Sequence, residues 1–172
     1  MPREKNKNYF NFFKMYIKMM TNILIIAIVC GILAVNGLNY TYYTFAIQNF
    51  CDEENQYYVH GMWPQFNSSS YPEYCSNITY EDVTGDLLTD MNQYWNICDQ
   101  VNQSFWKHEW LKHGSCVNVQ TGITEYDYFN LTINLFKQLL STQSNLWNET
   151  CAESSSACII QCYALNFTEI AC

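Results

Sequence analysis

Apolar positions along this chain follow three rhythms. The first is a continuous run of thirteen residues, Ile23 to Val35. That length suits the core of a secretory signal peptide and is short for a membrane span of roughly twenty residues. The second is strand-like. Tyr40 to Phe50, rich in Tyr, Thr, Phe and Ile, predicts one strand. Tyr57 to Met62 predicts another, stopped by Pro64, which has no N–H for a ladder. Asn67 to Pro72 has loop composition. The third rhythm is helical. Thr84 to Trp95 places Leu87, Leu88, Met91 and Trp95 on one side, and Tyr126 to Leu140 does the same with Phe129, Ile133, Phe136 and Leu140. Residues 104 to 113 predict a short helix ended by Gly114. Ser141 to Ser156 is polar and reads as loop, and Ile159 to Cys172 has room for one or two short strands. With no βαβ alternation and no Gly-rich phosphate loop, the expected class is α+β.

Charge sharpens the division at the amino end. Arg3, Lys5, Lys7, Lys14 and Lys18, five of the eight basic residues, precede the apolar run. A signal peptide over 1–37, cut before Leu38, is the expectation, with residues 38–172 as one catalytic-sized domain. The stretch before the run is long, and initiation at Met15, Met19 or Met20 gives a more ordinary signal; an uncleaved anchor is the competing reading. After the cut, three lysines face fifteen acidic side chains, a formal charge of −12. A protein that held a polyanion by bulk electrostatics would be basic. Any nucleic-acid function here belongs to a local site.

Eight cysteines remain in that domain: Cys51, Cys75, Cys98, Cys116, Cys151, Cys158, Cys162 and Cys172. An even number in a short exported domain reads as four disulfides. Asn-x-Ser/Thr sequons at Asn39, Asn67, Asn77, Asn102, Asn130, Asn148 and Asn166 agree, marking expected glycosylation in a secreted, extracellular or lysosome-like setting.

The chain has three histidines, and all fall in two motifs, His60-Gly61-Met62-Trp63-Pro64 and His108-Glu109-Trp110-Leu111-Lys112-His113-Gly114. At 100° per residue, positions 108, 109, 112 and 113 project at 0°, 100°, 40° and 140°, so one helix side offers two imidazoles, a carboxylate and an ammonium. RNA cleavage through the 2′-hydroxyl needs a base, an acid and cations on the phosphorane. A zinc protease reading begins from His-Glu, but Lys112 stands where the second metal ligand belongs and His113 is one residue late. No metal and no cofactor is expected.

Phe-Ala-Ile-Gln (45–48), His-Gly-Met-Trp-Pro (60–64), Tyr-Pro-Glu-Tyr-Cys (71–75) and Phe-Trp-Lys-His-Glu-Trp-Leu-Lys-His-Gly-Ser-Cys (105–116) resemble the blocks of the ribonuclease T2 family, in order. The resemblance is close from 45 to about 140 and poor in the tail, which looks abbreviated at the C-terminus. It implies an α+β fold with an antiparallel sheet packed against helices, and an endoribonuclease acting on single-stranded RNA. DNA, which has no 2′-hydroxyl, should be left intact, and a monomer without lasting membrane contact is expected. His113 would be general base and His60 general acid, His108 would hold phosphate, and Lys112 and Glu109 would stabilise the transition state. Trp63 and Phe105 match family positions that stack on bases, and Gln48 lies where it can line the site; Trp106 and Trp110 read as core. The resemblance also pairs Cys75 with Cys116 and Cys162 with Cys172. Cys51 lacks its usual near neighbour, so Cys51–Cys98 and Cys151–Cys158 follow only by elimination, and other pairings of these four stay open. Gln65 departs from the Asp that many relatives carry. A silent secreted glycoprotein of the same fold is the rival reading. Glu109, near His108 and His113, is expected to favour imidazolium, and with the acidic surface this sets an optimum at roughly pH 4.5 to 6.

Overall fold

The computed structural model describes residues 38–49, 51, 56–98, 101–142 and 158–172. The expected signal segment, most of the expected 141–156 loop, Asn148 and Cys151 lie outside them. Leu38–Cys172 forms one compact unit. Its strands are β1 (Tyr42–Gln48), β2 (Tyr58–Gln65), β3 (Cys158–Ala164) and β4 (Glu169–Ile170). They form an antiparallel sheet in the order β2-β1-β3-β4. Between β2 and β3 come α1 (Gly85–Tyr94), α2 (Asn102–Glu109), a π-helical turn (Trp110–Gly114), α3 (Ser115–Thr121) and α4 (Glu125–Thr142). The α+β class with an antiparallel sheet is therefore as the sequence indicated.

Two boundaries differ from the sequence reading. Pro64 does not stop β2, which continues to Gln65 with Pro64 opposite Tyr43. β2 lies at the sheet edge, where a missing N–H leaves no partner strand unsatisfied. Gly114 does not end the histidine helix either. The chain continues through the π-turn into α3 and stops at Gly122, whose φ of 74° gives the left-handed cap that glycine adopts without strain. Gly114 has a packing role instead: a Cβ there would run into the Trp110 ring.

The core sits where the sheet meets α1 and α4. Tyr128, Phe129, Thr132, Ile133, Leu135, Phe136 and Leu139 form the buried face of α4, and each fully buried large apolar side chain contributes about 2–3 kcal/mol over exposure. Leu140, read from spacing as core-facing, is 38% exposed, and Leu139 is buried in its place. Phe45 stacks with Phe136 at 6.1 Å and Trp95 meets Phe129 edge-on at 5.5 Å. Trp106 and Trp110 are core, as expected, their indole N–H groups donating to the Trp95 and Thr79 carbonyls. Cys51–Cys98, Cys75–Cys116 and Cys162–Cys172 are bonded as the sequence reading paired them. The Cys151–Cys158 pairing lies outside the described residues.

Candidate active site

Each histidine motif sits on an element with a one-residue irregularity. In the β1–β2 ladder Ala46 faces Gly61 and Ile47 faces Val59, so His60 is the extra residue of a bulge. A regular strand would send residues 60 and 63 to opposite faces. A bulge re-aims side chains locally, and here the rings of His60 and Trp63 meet edge-on at 5.0 Å. On the second motif, α2 carries His108 and Glu109 and the π-turn carries Lys112 and His113. The single-pitch projection made from sequence therefore does not describe this segment. A π-turn adds a residue to the turn, a feature concentrated at functional sites.

The two irregular elements bring the chemistry together. A cavity of about 180 Å³ is lined by His60, Trp63, Tyr71, His108, Glu109, Lys112 and His113. The Phe105 ring packs 5.3 Å from that of His60, and the Gln48 amide oxygen lies 2.7 Å from His60 Nδ1. All five candidate catalytic side chains and all three candidate substrate contacts thus cluster at one place. Tyr71 and Glu73 are additions that spacing alone did not single out. The Tyr71 ring, 45% exposed, lies 5.8 Å from the His113 ring and 5.6 Å from Lys112 Nζ, while Glu73 approaches that ammonium to 3.7 Å. The signal was available: a Cys75–Cys116 bond pulls residues 71–75 against the end of the second motif. Tyr74 N–H donates to the Lys112 carbonyl and Cys75 N–H to Ser115 Oγ, completing that clamp.

Glu109 is 1% exposed. Its Oε2 accepts the Trp63 indole N–H at 2.8 Å, and its Oε1 stands 3.7 Å from His60 Nε2. Gly61 makes this approach sterically possible, since a Cβ there would collide with the Trp63 indole nitrogen and Glu109 Oε2. The Trp95 indole N–H donates to the His60 carbonyl and Tyr128 OH to the Met62 carbonyl, fixing the bulged strand from α4 and the end of α1.

Electrostatics revise one expectation. Burial lifts the Glu109 carboxyl to about 8, against smaller lowering by the Trp63 hydrogen bond and Lys112. It is an acid, not a carboxylate, near neutral pH, and does not favour imidazolium as the sequence implied. Burial pushes His60 down to about 4, with His108 and Lys112 adding repulsion. His113, 4% exposed and with no hydrogen-bond partner for Nδ1 among the described residues, falls to about 3, through burial first and then Lys112, His108 and His60. His108 is lowered by burial and Lys112, while Glu73 partly opposes them. At 3.7 Å, Glu109 Oε1 and His60 Nε2 are within ion-pair reach but beyond hydrogen-bonding distance, and burial favours the uncharged pair. Gln65 is buried, its amide donating to Thr44 Oγ1 at 3.1 Å. Among the described residues no group of three or more His, Cys, Asp or Glu is placed to hold a metal ion.

The Ribonuclease T2 family model matches residues 29–157. Ribonuclease M of Aspergillus phoenicis is 38% identical over 102 residues, covering 47% of this chain and 42% of that protein. Ribonuclease DdI of Dictyostelium discoideum is 31% identical over 113 residues, 58% of this chain and 50% of that protein. The chain thus spans half or less of these curated relatives. Among solved structures, the self-incompatibility-associated SF11-RNase of Nicotiana alata aligns with a TM-score of 0.58 at 20% identity, covering 77% of this chain and 91% of its own. Ribonuclease MC1 from bitter gourd seeds aligns at 0.56 and 20%, covering 77% and 94%. RNase NT in complex with 5′-AMP aligns at 0.55 and 19%, covering 78% and 91%. These identities speak for the fold. Because the family match runs through both histidine motifs and well over half of the residues, the chain belongs to the ribonuclease T2 family.

Proposed function

We propose that this protein is an endoribonuclease that cleaves single-stranded RNA by attack of the 2′-hydroxyl on the adjacent phosphorus. The observation that carries the reading is one cavity bearing imidazoles from two separate elements, His60 of β2 and His113 of the π-turn, with Lys112 beside them. His113 takes the 2′-proton as the 2′-oxygen bonds phosphorus. The bond to the 5′-oxygen then breaks, and that oxygen leaves with the proton from His60 Nε2. The product is a 2′,3′-cyclic phosphate, which water opens by the reverse proton transfers. Lys112 and His108 hold the phosphoryl oxygens. Glu109, kept uncharged by burial, adds a hydrogen-bond donor without repelling the phosphate, a use of a neutral carboxyl that low polarity makes available.

Trp63, Tyr71 and Phe105 surround this chemistry with aromatic faces, which bind unpaired bases without net positive charge. That suits an acidic protein. The solved complex of RNase NT with 5′-AMP supports a nucleotide-shaped ligand here by relatedness. Three disulfides among the described residues and exposed sequons at Asn39, Asn67, Asn77 and Asn166 support export and glycosylation, with 1–37 as the removed signal. The test is cleavage of single-stranded RNA by purified protein in excess EDTA, with single-stranded DNA as control. Cyclic phosphate ends, DNA left intact, and losses on the order of 10²- to 10⁴-fold in His60→Ala and His113→Ala are expected. Activity abolished by EDTA and restored by zinc would overturn the mechanism.

A further inference from the structure

Gln48 is the last residue of β1, and its amide oxygen sits 2.7 Å from Nδ1 of His60. A carbonyl oxygen has no hydrogen to give, so at this distance the imidazole nitrogen must be the donor. We propose that Gln48 is a positioning residue: it holds the proton of neutral His60 on Nδ1 and so keeps Nε2 as the atom that exchanges a proton with substrate. This rests on the ribonuclease reading for its catalytic consequence, but not for the tautomer itself.

The geometry at His60 makes such a device necessary. A bulged residue has lost the strand register that would otherwise orient it. Its backbone is secured by the Trp95 indole N–H on the His60 carbonyl, but that bond leaves χ1, χ2 and the tautomer open. On one side the ring meets Trp63 and Phe105, at 5.0 and 5.3 Å, contacts that restrain the ring plane but do not distinguish the two nitrogens. Gln48 on β1 and Glu109 on α2 do distinguish them, one at Nδ1 and the other at Nε2. Among the described residues, the ionisable groups acting on His60 include Glu109 at Nε2, and His108 and Lys112, whose charges oppose protonation, with His113 coupled to it as well. The Gln48 amide is placed at Nδ1. The catalytic cycle fits the arrangement. When His60 gives its Nε2 proton to the departing 5′-oxygen, the neutral ring left behind already carries its hydrogen on Nδ1, so no proton need migrate within the ring. The same acceptor takes a stronger, charge-assisted hydrogen bond from imidazolium. The wrong tautomer in an otherwise intact site is known to be severely damaging to histidine catalysis.

The test combines nitrogen NMR of ¹⁵N-histidine-labelled protein with kinetics in three variants. With only three imidazoles in the chain, His60 is assigned by its loss in His60→Ala. In the wild type, neutral His60 is expected as the Nδ1–H form. Gln48→Leu should convert it to a mixture of tautomers and lower kcat about tenfold, the size of one lost hydrogen bond, with a smaller effect on KM. Gln48→Glu should restore a single Nδ1–H tautomer and move the His60-dependent limb of the pH–rate profile up by about one unit, because a carboxylate at Nδ1 favours imidazolium. Should Gln48→Leu fail to fold, Gln48→Glu decides by its pH profile. A wild-type Nε2–H tautomer overturns the proposal, as does an unchanged tautomer in Gln48→Leu with effects confined to KM, or an unmoved limb in Gln48→Glu. A wild type that holds the Nδ1–H form but leaves RNA intact would sustain the positioning role and sink the ribonuclease reading.

Discussion

Replacing Glu109 by Gln should make the protein more stable, and more so as the pH rises. The carboxyl is 1% exposed and burial raises it from 4.5 to about 8. In the unfolded chain it ionises near 4.5; in the folded protein it keeps its proton until about pH 8. Between those values the folded state binds more protons than the unfolded state, so this group makes stability fall with rising pH. Against a residue that never ionises, the burden is under about 1 kcal/mol at pH 5, about 3 kcal/mol at pH 7 and about 4 kcal/mol at pH 8, at about 1.4 kcal/mol per unit. Glutamine has the same shape. Its amide oxygen can take the Trp63 indole N–H and its NH₂ can face His60 Nε2, so the local bonds survive. The assay is urea unfolding of wild type and Glu109→Gln at pH 5, 7 and 8, followed by tryptophan fluorescence, reading the difference in ΔG at equal m. The expected difference grows by about 2–4 kcal/mol from pH 5 to pH 8. A variant less stable than wild type at pH 7, or a difference that does not widen with pH, would mean that Glu109 is ionised and paired with a charged His60, and the reasoning would fail. Activity should meanwhile drop by about tenfold or more, since an amide is a weaker donor to a phosphorane than a carboxylic acid.

Lys112→Ala should lower kcat/KM on RNA by about 10²-fold or more, because in the proposed mechanism the ammonium lining the cavity stabilises transition-state charge; a loss under about threefold would remove it from the mechanism. Gly61→Ala should reduce activity by at least about tenfold while leaving the disulfides intact, since the added methyl displaces the Glu109 carboxyl or the Trp63 indole; titration of free thiols and RNA cleavage check it. The pH–rate profile should peak on the acid side, at roughly pH 4.5 to 6: His60 must carry a proton and burial lowers it to about 4, so the rate rises as pH falls from 7, until protonation of His113 reverses it. The bound phosphodiester raises both groups from their free values, and a maximum above pH 7 at fixed ionic strength would contradict this. Removing Cys75–Cys116 by paired serine substitution should cost about 2–5 kcal/mol and depress activity, because the wall carrying Tyr71 and Glu73 is tied to the catalytic turn through that bond; unaltered activity would mean the backbone bonds from Tyr74 and Cys75 suffice.

Much of the protein was legible in one dimension because the physics involved is local. The helical spacing of Leu87 and Met91, and of Phe129, Ile133 and Phe136, identified the core faces of α1 and α4, since amphipathic repeats report burial directly. The two histidine motifs named the side chains that the fold gathers in one cavity, because the scarcity of histidine and its neighbouring Glu and Lys are visible without coordinates. The exceptions depend on geometry that regular periods do not project. Pro64 reads as a strand stop until β2 is seen at the sheet edge, and Gly114 as a helix stop until Trp110 is seen against it. A regular helix of 3.6 residues per turn and a regular strand of period two are what sequence can project; the bulge at His60 and the π-turn at 110–114 break both periods. Tyr71 and Glu73 entered the site through a disulfide and two backbone hydrogen bonds. The sign of the electrostatics was the deepest omission. Formal charges in a sequence make Glu109 a carboxylate and a histidine a half-protonated base. Only burial, a property of the folded environment, makes the one an acid near neutral pH and lowers the other, because a charge without water around it costs more than the proton that neutralises it.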